Sequence, residues 1–216
     1  MSHYYPLYVN IEKRPILIFG GGNNAREKIE KLMPCGPALT IAAEKVTPSI
    51  KKLGEEGKIA LIRSNGFDAQ ALISRLRPML VIVADVEDDK VAHIFKICRK
   101  NGVEVHTVGK TEYSTVLFPA VIQHRNFSIA ISSSGASPAA IAWIRDRVEH
   151  AFPAAIDGML ENLDTLRKKM GEKIDFKPGQ FAAIYADIFN AALRENRMLS
   201  AGEMSQIMGK YIDEAK

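Results

Sequence analysis

Residues 15–25 read Pro-Ile-Leu-Ile-Phe-Gly-Gly-Gly-Asn-Asn-Ala, an apolar run that stops at three glycines and passes straight into a helical pattern reaching about Met33. A strand that is apolar on both faces and turns at once into a helix belongs to a parallel sheet covered by helices. The same alternation continues to about residue 110. Residues 38–42 read as a second strand, and Thr47-Pro48-Ser49 opens a helix through Leu53, before Gly54 and Gly57 break it. Residues 58–62 form a third strand, 68–76 a helix, and Met79-Leu80-Val81-Ile82-Val83 a fourth strand apolar enough for the sheet centre. A helix after Glu87-Asp88-Asp89 and a fifth strand over 103–108 complete an α/β domain assigned to residues 1–112.

The character then changes. Residues 117–122 and 127–131 look like antiparallel strands joined by Gln123-His124-Arg125-Asn126, and a helix capped by Ser137 starts at Pro138 and runs to about 152. From Pro153 onward the pattern is helical, interrupted between Gly171 and Gly179. The expected division is thus 1–112, 113–152 (a β segment) and 153–216 (helical).

A chain of 216 residues that is 47% hydrophobic and 25% charged is neither disordered nor fibrous. No apolar run approaches the ~18 residues a membrane span needs. The start, Met1-Ser2-His3-Tyr4-Tyr5-Pro6, has neither a basic nor an apolar stretch, so a cytoplasmic protein without a signal peptide is expected. Cys35 and Cys98 are too far apart for a zinc knuckle or a redox pair, and no metal site is expected. The charge, 29 − 25 = +4, mildly favours an anionic partner. The basic residues form no dense block, so that partner is not expected to be a nucleic acid.

Gly20-x-Gly22-x-x-Ala25 stands where a dinucleotide-binding turn has to stand. The first glycine makes the turn, the second lets backbone N–H groups reach a pyrophosphate, and the small third residue lets helix and strand approach. Such turns also occur for packing alone. Glu44 follows the second strand at the separation expected of an acid that accepts ribose hydroxyls; it would repel a 2′-phosphate, which favours NAD over NADP. The candidate cofactor residues are Gly20, Gly22, Asn23, Asn24 and Ala25 on the turn, Glu44 and Lys45 after the second strand, and Asp85 after the fourth. Asn24 is polar where an aliphatic residue would pack on the sheet, and it could equally face the cofactor.

Ser132-Ser133-Ser134-Gly135-Ala136-Ser137-Pro138 gathers hydroxyls and backbone amides at a helix start. It reads either as a carboxylate or phosphate site or as a heavily capped helix. On the first reading Ser132, Ser133, Ser134 and Gly135 are substrate-binding candidates, with Arg145 two turns into the helix reinforcing them.

In this order the motifs resemble those of the precorrin-2 dehydrogenase / sirohydrochlorin ferrochelatase family, the N-terminal module of siroheme synthase. The likeness rests on Tyr5-Pro6-Leu7-Tyr8, Arg14-Pro15 through Gly22, Leu39-Thr40-Ile41-Ala42 with Glu44, Phe118-Pro119-Ala120, and Ile129 through Pro138. It spans residues 5 to about 153. The resemblance implies a Rossmann-type domain, a small β dimerisation domain and a helical C-terminal domain in a homodimer that oxidises precorrin-2 to sirohydrochlorin with NAD. A polycarboxylate substrate of this kind also suits a basic chain.

Three departures from the family pattern bear on the chemistry. The family's Asn-Val-Val-Asp segment is His106-Thr107-Val108-Gly109 here, so the implicated carboxylate is missing and ferrochelatase activity is not expected. His106 and His124 become candidate substitute bases, with Ser133 as a further catalytic candidate. Asp85-Val86-Glu87-Asp88 replaces Ala-Thr-Asp-Asp, which would put a negative charge near the nicotinamide end. Asn24-Ala25-Arg26-Glu27-Lys28 replaces Val-Ala-x-Arg-Lys. The alternative these changes raise is a tetrapyrrole-binding or carrier protein that keeps the fold without catalysis.

Overall fold

The computed structural model describes residues 4–66, 68–152, 156–161 and 179–213. The chain forms two compact units, Met1–Phe118 and Pro119–Lys216. In the first, β1 (Pro15–Phe19), α1 (Asn23–Leu32), β2 (Ala38–Ala42), α2 (Pro48–Glu55), β3 (Ala60–Ile62), α3 (Ala69–Leu76), β4 (Leu80–Val83), α4 (Asp88–Asn101) and β5 (Glu104–Thr107) alternate along the chain. The strands pair in the order β3-β2-β1-β4-β5, all parallel.

Alternation along β1 distributes its side chains to two cores. Leu17 and Phe19 join Val81 and Val83 of β4 under Leu72 and Ile73 of α3 and Ile94 and Cys98 of α4. Ile16 and Ile18 join Leu39, Ile41 and Ile82 under Ala25, Ile29 and Leu32 of α1 and Ile50 of α2. Each such aliphatic side chain taken fully out of water contributes ~1.5–3 kcal/mol. Ala25, Ile29 and Leu32 recur at helical spacing, which is why α1 lies on this face. Cys98 is buried, and burial pushes its thiol up to about 12, so it is a small core residue rather than a reactive one.

Two element ends differ from expectation. Helix α2 runs past Gly54 to Glu55. A Cβ at Gly54 would lie 2.4 Å from Leu61 Cδ1, so this glycine serves the close approach of α2 to β3, and Gly57 at φ 69° marks the stop. The third strand is three residues long, as suits an exposed edge.

The second unit opens with the antiparallel pair β6 (Ala120–Gln123) and β7 (Ser128–Ile131), in register Ala120 opposite Ile131. Helices α5 (Pro138–His150), α6 (Gln180–Glu195) and α7 (Ala201–Asp213) follow, with residues 156–161 also helical. Met159, Ile184, Ile188, Ala192 and Leu199 form its core. The break expected from Gly171 lies outside the described residues up to 178. Among the described residues, no helix is long and apolar enough to cross a membrane.

Candidate functional site

Beside β1 the chain reverses its direction of winding, β2 and β3 lying on one side and β4 and β5 on the other. Ligands of open parallel sheets bind at such a point, beyond the carboxyl ends of the strands. A cleft of about 310 Å³ lies there, lined by Phe19 at the end of β1 with Gly20 and Gly21, Ala42 at the end of β2 through Lys45, Ser64 to Gly66 after β3, and Asp85 to Glu87 after β4 with Lys90 of α4.

Each of the three glycines meets a different neighbour. A Cβ on Gly20, whose φ is 107°, would stand 1.5 Å from the Ala84 carbonyl oxygen. On Gly21 it would stand 2.3 Å from the Lys45 carbonyl oxygen, and on Gly22 2.6 Å from the Asp85 carboxyl carbon. The Gly20 N–H donates to the Ala42 carbonyl at 2.9 Å and the Thr47 N–H to the Gly21 carbonyl at 2.9 Å, which locks the turn against β2 and its following loop. Ala25 is fully buried between α1 and the sheet. These residues make a bare backbone cradle at the N-terminus of a ten-residue helix, the shape a pyrophosphate needs.

Asp85 reaches into that cradle. Its carboxylate accepts from the Ala25 N–H at 2.9 Å, from the Asn24 side-chain amide at 2.8 Å and, at 3.4 Å, from the Asn24 N–H. It thereby caps a helix whose own N-cap is the side-chain-less Gly22. The sequence places Asp85 at the nicotinamide end; here its backbone, at φ 55°, turns the side chain onto the start of α1. Asn24 is likewise explained as an Asp85 partner, while Asn23 is the exposed first residue of α1.

Glu44 and Lys45, both exposed, line the same cleft, so the structure gathers Gly20, Glu44, Lys45 and Asp85 around one space. Ser64, Glu87 and Lys90 also line it and carry no motif of their own in the sequence; Ser64 and Glu87 follow strand ends, and Lys90 stands in the first turn of α4. Lys90 pairs with Glu87 at 2.6 Å, and this bond, with the charges of Glu87, Glu44 and Asp89, holds the ammonium above its ordinary value. The Ser64 hydroxyl accepts from the Gly66 N–H at 3.0 Å and donates to Asp68.

His106 lies elsewhere in the first unit. It is 8% exposed on β5, with Nδ1 3.3 Å from the Val116 carbonyl oxygen and its ring 4.7 Å from that of Phe118, over which Lys28 also sits. Burial first, and then the Lys28 charge, push it down to about 4 against the pull of the Val116 carbonyl, so the imidazole is neutral at physiological pH. Gly109 follows at φ 75°, with open space where a side chain would stand.

The remaining candidates belong to the second unit. His124 stacks on Phe127 at 4.5 Å and places Nδ1 3.4 Å from Asp157. The Ser132 hydroxyl accepts from the Ser134 N–H and the Ser133 hydroxyl from the Ser137 N–H, both at 3.0 Å, while Ser137 caps α5 through the Ala140 N–H. Ser134 and Gly135 turn the chain at positive φ. Arg145 pairs along the helix with Glu149 at 3.1 Å. The loop is a self-bonded helix start whose hydroxyl protons remain available to an acceptor. Among the described residues, no three His, Cys, Asp or Glu side chains converge as a metal site.

Siroheme synthases are similar in sequence. That of Neisseria meningitidis serogroup C (strain FAM18) is 30% identical over 163 residues, and siroheme synthase 1 of Serratia proteamaculans 25% over 173 residues. These matches take in 74% and 80% of this chain but 32% and 35% of the relatives, so the chain spans about a third of their length. A solved structure titled "SirC, precorrin-2 dehydrogenase" has the same fold, with a TM-score of 0.71 at 19% identity over 97% of this chain and 100% of that one. Residues 7–120 match the family model described as "Putative NAD(P)-binding". That match takes in more than half of the 216 residues, together with every glycine and acid of the cleft, and the chain belongs to this NAD(P)-binding family.

Proposed function

We propose that the protein is an NAD-dependent precorrin-2 dehydrogenase that forms sirohydrochlorin and lacks the chelatase step. The observation that carries the reading is the glycine cradle and Glu44 sharing one cleft, in a chain whose relatives over this stretch are siroheme synthases. Bound NAD+ supplies the hydride acceptor. The chain's own part is to bind and orient. The N–H groups at the start of α1 face the pyrophosphate, Glu44 accepts the ribose hydroxyls, and the Ser132–Ser134 hydroxyls with Arg145 receive substrate carboxylates. Oxidation releases one hydride and one proton. His124, partly exposed beside Asp157, is better placed than the buried, neutral His106 to hold that proton, with Ser133 as the other candidate.

Residues 1–112 then hold the cofactor, 113–152 serve dimerisation and substrate, and 153–216 form a helical C-terminal domain. The protein then works in the cytoplasm, where its free cysteines would stay reduced. The chelatase step is left out because Gly109 has no carboxylate to take a pyrrole proton. A second reading, a tetrapyrrole carrier without turnover, is favoured by one observation, Asp85 on the phosphate turn. Anaerobic incubation of the purified chain with precorrin-2 and NAD+ separates the two. NADH and the sirohydrochlorin spectrum are expected to appear together; substrate binding without NADH would establish the carrier instead.

A further inference from the structure

We propose that Asp85 is an internal stand-in for phosphate, a carboxylate that satisfies the cofactor cradle from within and thereby sets how tightly a dinucleotide binds. The inference rests on the NAD reading above and concerns its binding residue rather than its chemistry. Three observations carry it. The carboxylate takes both the Asn24 and the Ala25 N–H groups, donors that a pyrophosphate would otherwise approach. It fills the space over Gly22, within 2.9 Å of where a side chain would begin, so the glycine that opens the cradle is the one that admits Asp85. The charged residues lining the cleft are Glu44, Asp85 and Glu87 against Lys45 and Lys90, three acids to two bases, and Lys90 is already paired with Glu87.

A dinucleotide therefore meets a helix end that is already neutralised and a cleft of net negative sign. Loading requires Asp85 to swing off α1 or to tolerate a like charge at close range; either lowers affinity. The same contact stabilises the unliganded protein, because an anion at a helix N-terminus satisfies free N–H groups and the dipole together. Cradle stability and cofactor affinity are thus set against each other through one side chain.

The test is calorimetric titration of the full chain and its Asp85→Asn and Asp85→Ser variants with NAD+, ADP-ribose and adenosine, with a thermal melt of each unliganded protein. Both variants keep a neutral cap. They should bind NAD+ and ADP-ribose about tenfold tighter or more, the scale of one relieved charge repulsion, and adenosine unchanged. Their unliganded melting temperatures should fall. Unchanged or weaker NAD+ binding in both variants, with the wild type binding, would overturn the proposal and leave Asp85 as a cap alone. Equal tightening of adenosine would overturn it too, since no phosphate is involved. If none of the three proteins binds NAD+, the cofactor reading falls and this inference with it.

Discussion

His106 shows how a residue's role is decided by what the fold brings to it. A histidine on a strand is legible in the sequence; that Phe118 closes over its ring and Lys28 lies nearby is not, because one contact comes from an irregular segment beyond β5 and the other from distant α1. The folded protein holds His106 at about 4, below the 6.5 of a free imidazole, so between those values the unfolded chain binds the extra proton. Stability from the neutral form is complete above pH ~6.5 and is lost as pH falls toward ~4, by ~3 kcal/mol at most. His106→Leu should cost ~1 kcal/mol at neutral pH through the lost Val116 contact, yet flatten the acid side of the curve. Urea midpoints for wild type and variant across this range check it; parallel curves would show that another group controls the acid transition. Asp85 follows the same logic. Its identity marked it as unusual, but only the positive φ and the neighbouring α1 reveal where its carboxylate goes.

At the level of elements, periodicity and turn residues locate the five strands and four α-helices of the first unit, since β1 and β4 are continuous apolar runs and the helices carry apolar stripes, while the short 3-10 turns at Met33–Cys35 and Thr111–Tyr113 leave no such pattern. Ends were harder, because one residue type serves two purposes. Gly54 signals a stop in sequence and a close contact in space. The sixth strand starts at Ala120 rather than 117 because Pro119 has no N–H to pair, and the turn before β7 closes with the His124 N–H on the Phe127 carbonyl. Glycine turns between elements should therefore differ sharply in tolerance. Gly20→Ala forces a Cβ into the Ala84 carbonyl at φ 107° and should destabilise the protein by ~3 kcal/mol or more. Gly109→Asp meets open space and only the left-handed backbone cost of ~1–2 kcal/mol. Thermal melts rank the two, and equal losses would refute the distinction. Because Gly109→Asp is expected to fold, it also tests the missing chelatase base. Insertion of cobalt or iron into sirohydrochlorin should appear only in the variant; wild-type chelation would mean another base exists.

For the molecule as a whole, a change from α/β alternation to antiparallel strands and helices is visible in the sequence, and the chain forms two units, Met1–Phe118 and Pro119–Lys216. What patterning alone leaves open is where the apolar surface of a helix goes when its neighbours cover little of it. Among the described residues helix α5 is such a case, since none of its thirteen residues is buried. Trp143 is 61% exposed and Ile144 38%, and Val121 on β6, the strand α5 packs near, is 46% exposed. A monomer rarely leaves aromatic and aliphatic side chains open together unless they meet something. A second copy suits this face, because the family resemblance implies a homodimer and a self-complementary face needs no other partner. Light scattering should accordingly give twice the chain mass at micromolar concentration, and Trp143→Asp should shift it to one chain mass. The cleft residues Gly20, Glu44 and Asp85 lie in the other unit, so NAD+ affinity should survive the substitution. A wild type that stays monomeric at the highest soluble concentration would refute the dimer and require another explanation for the open face of α5.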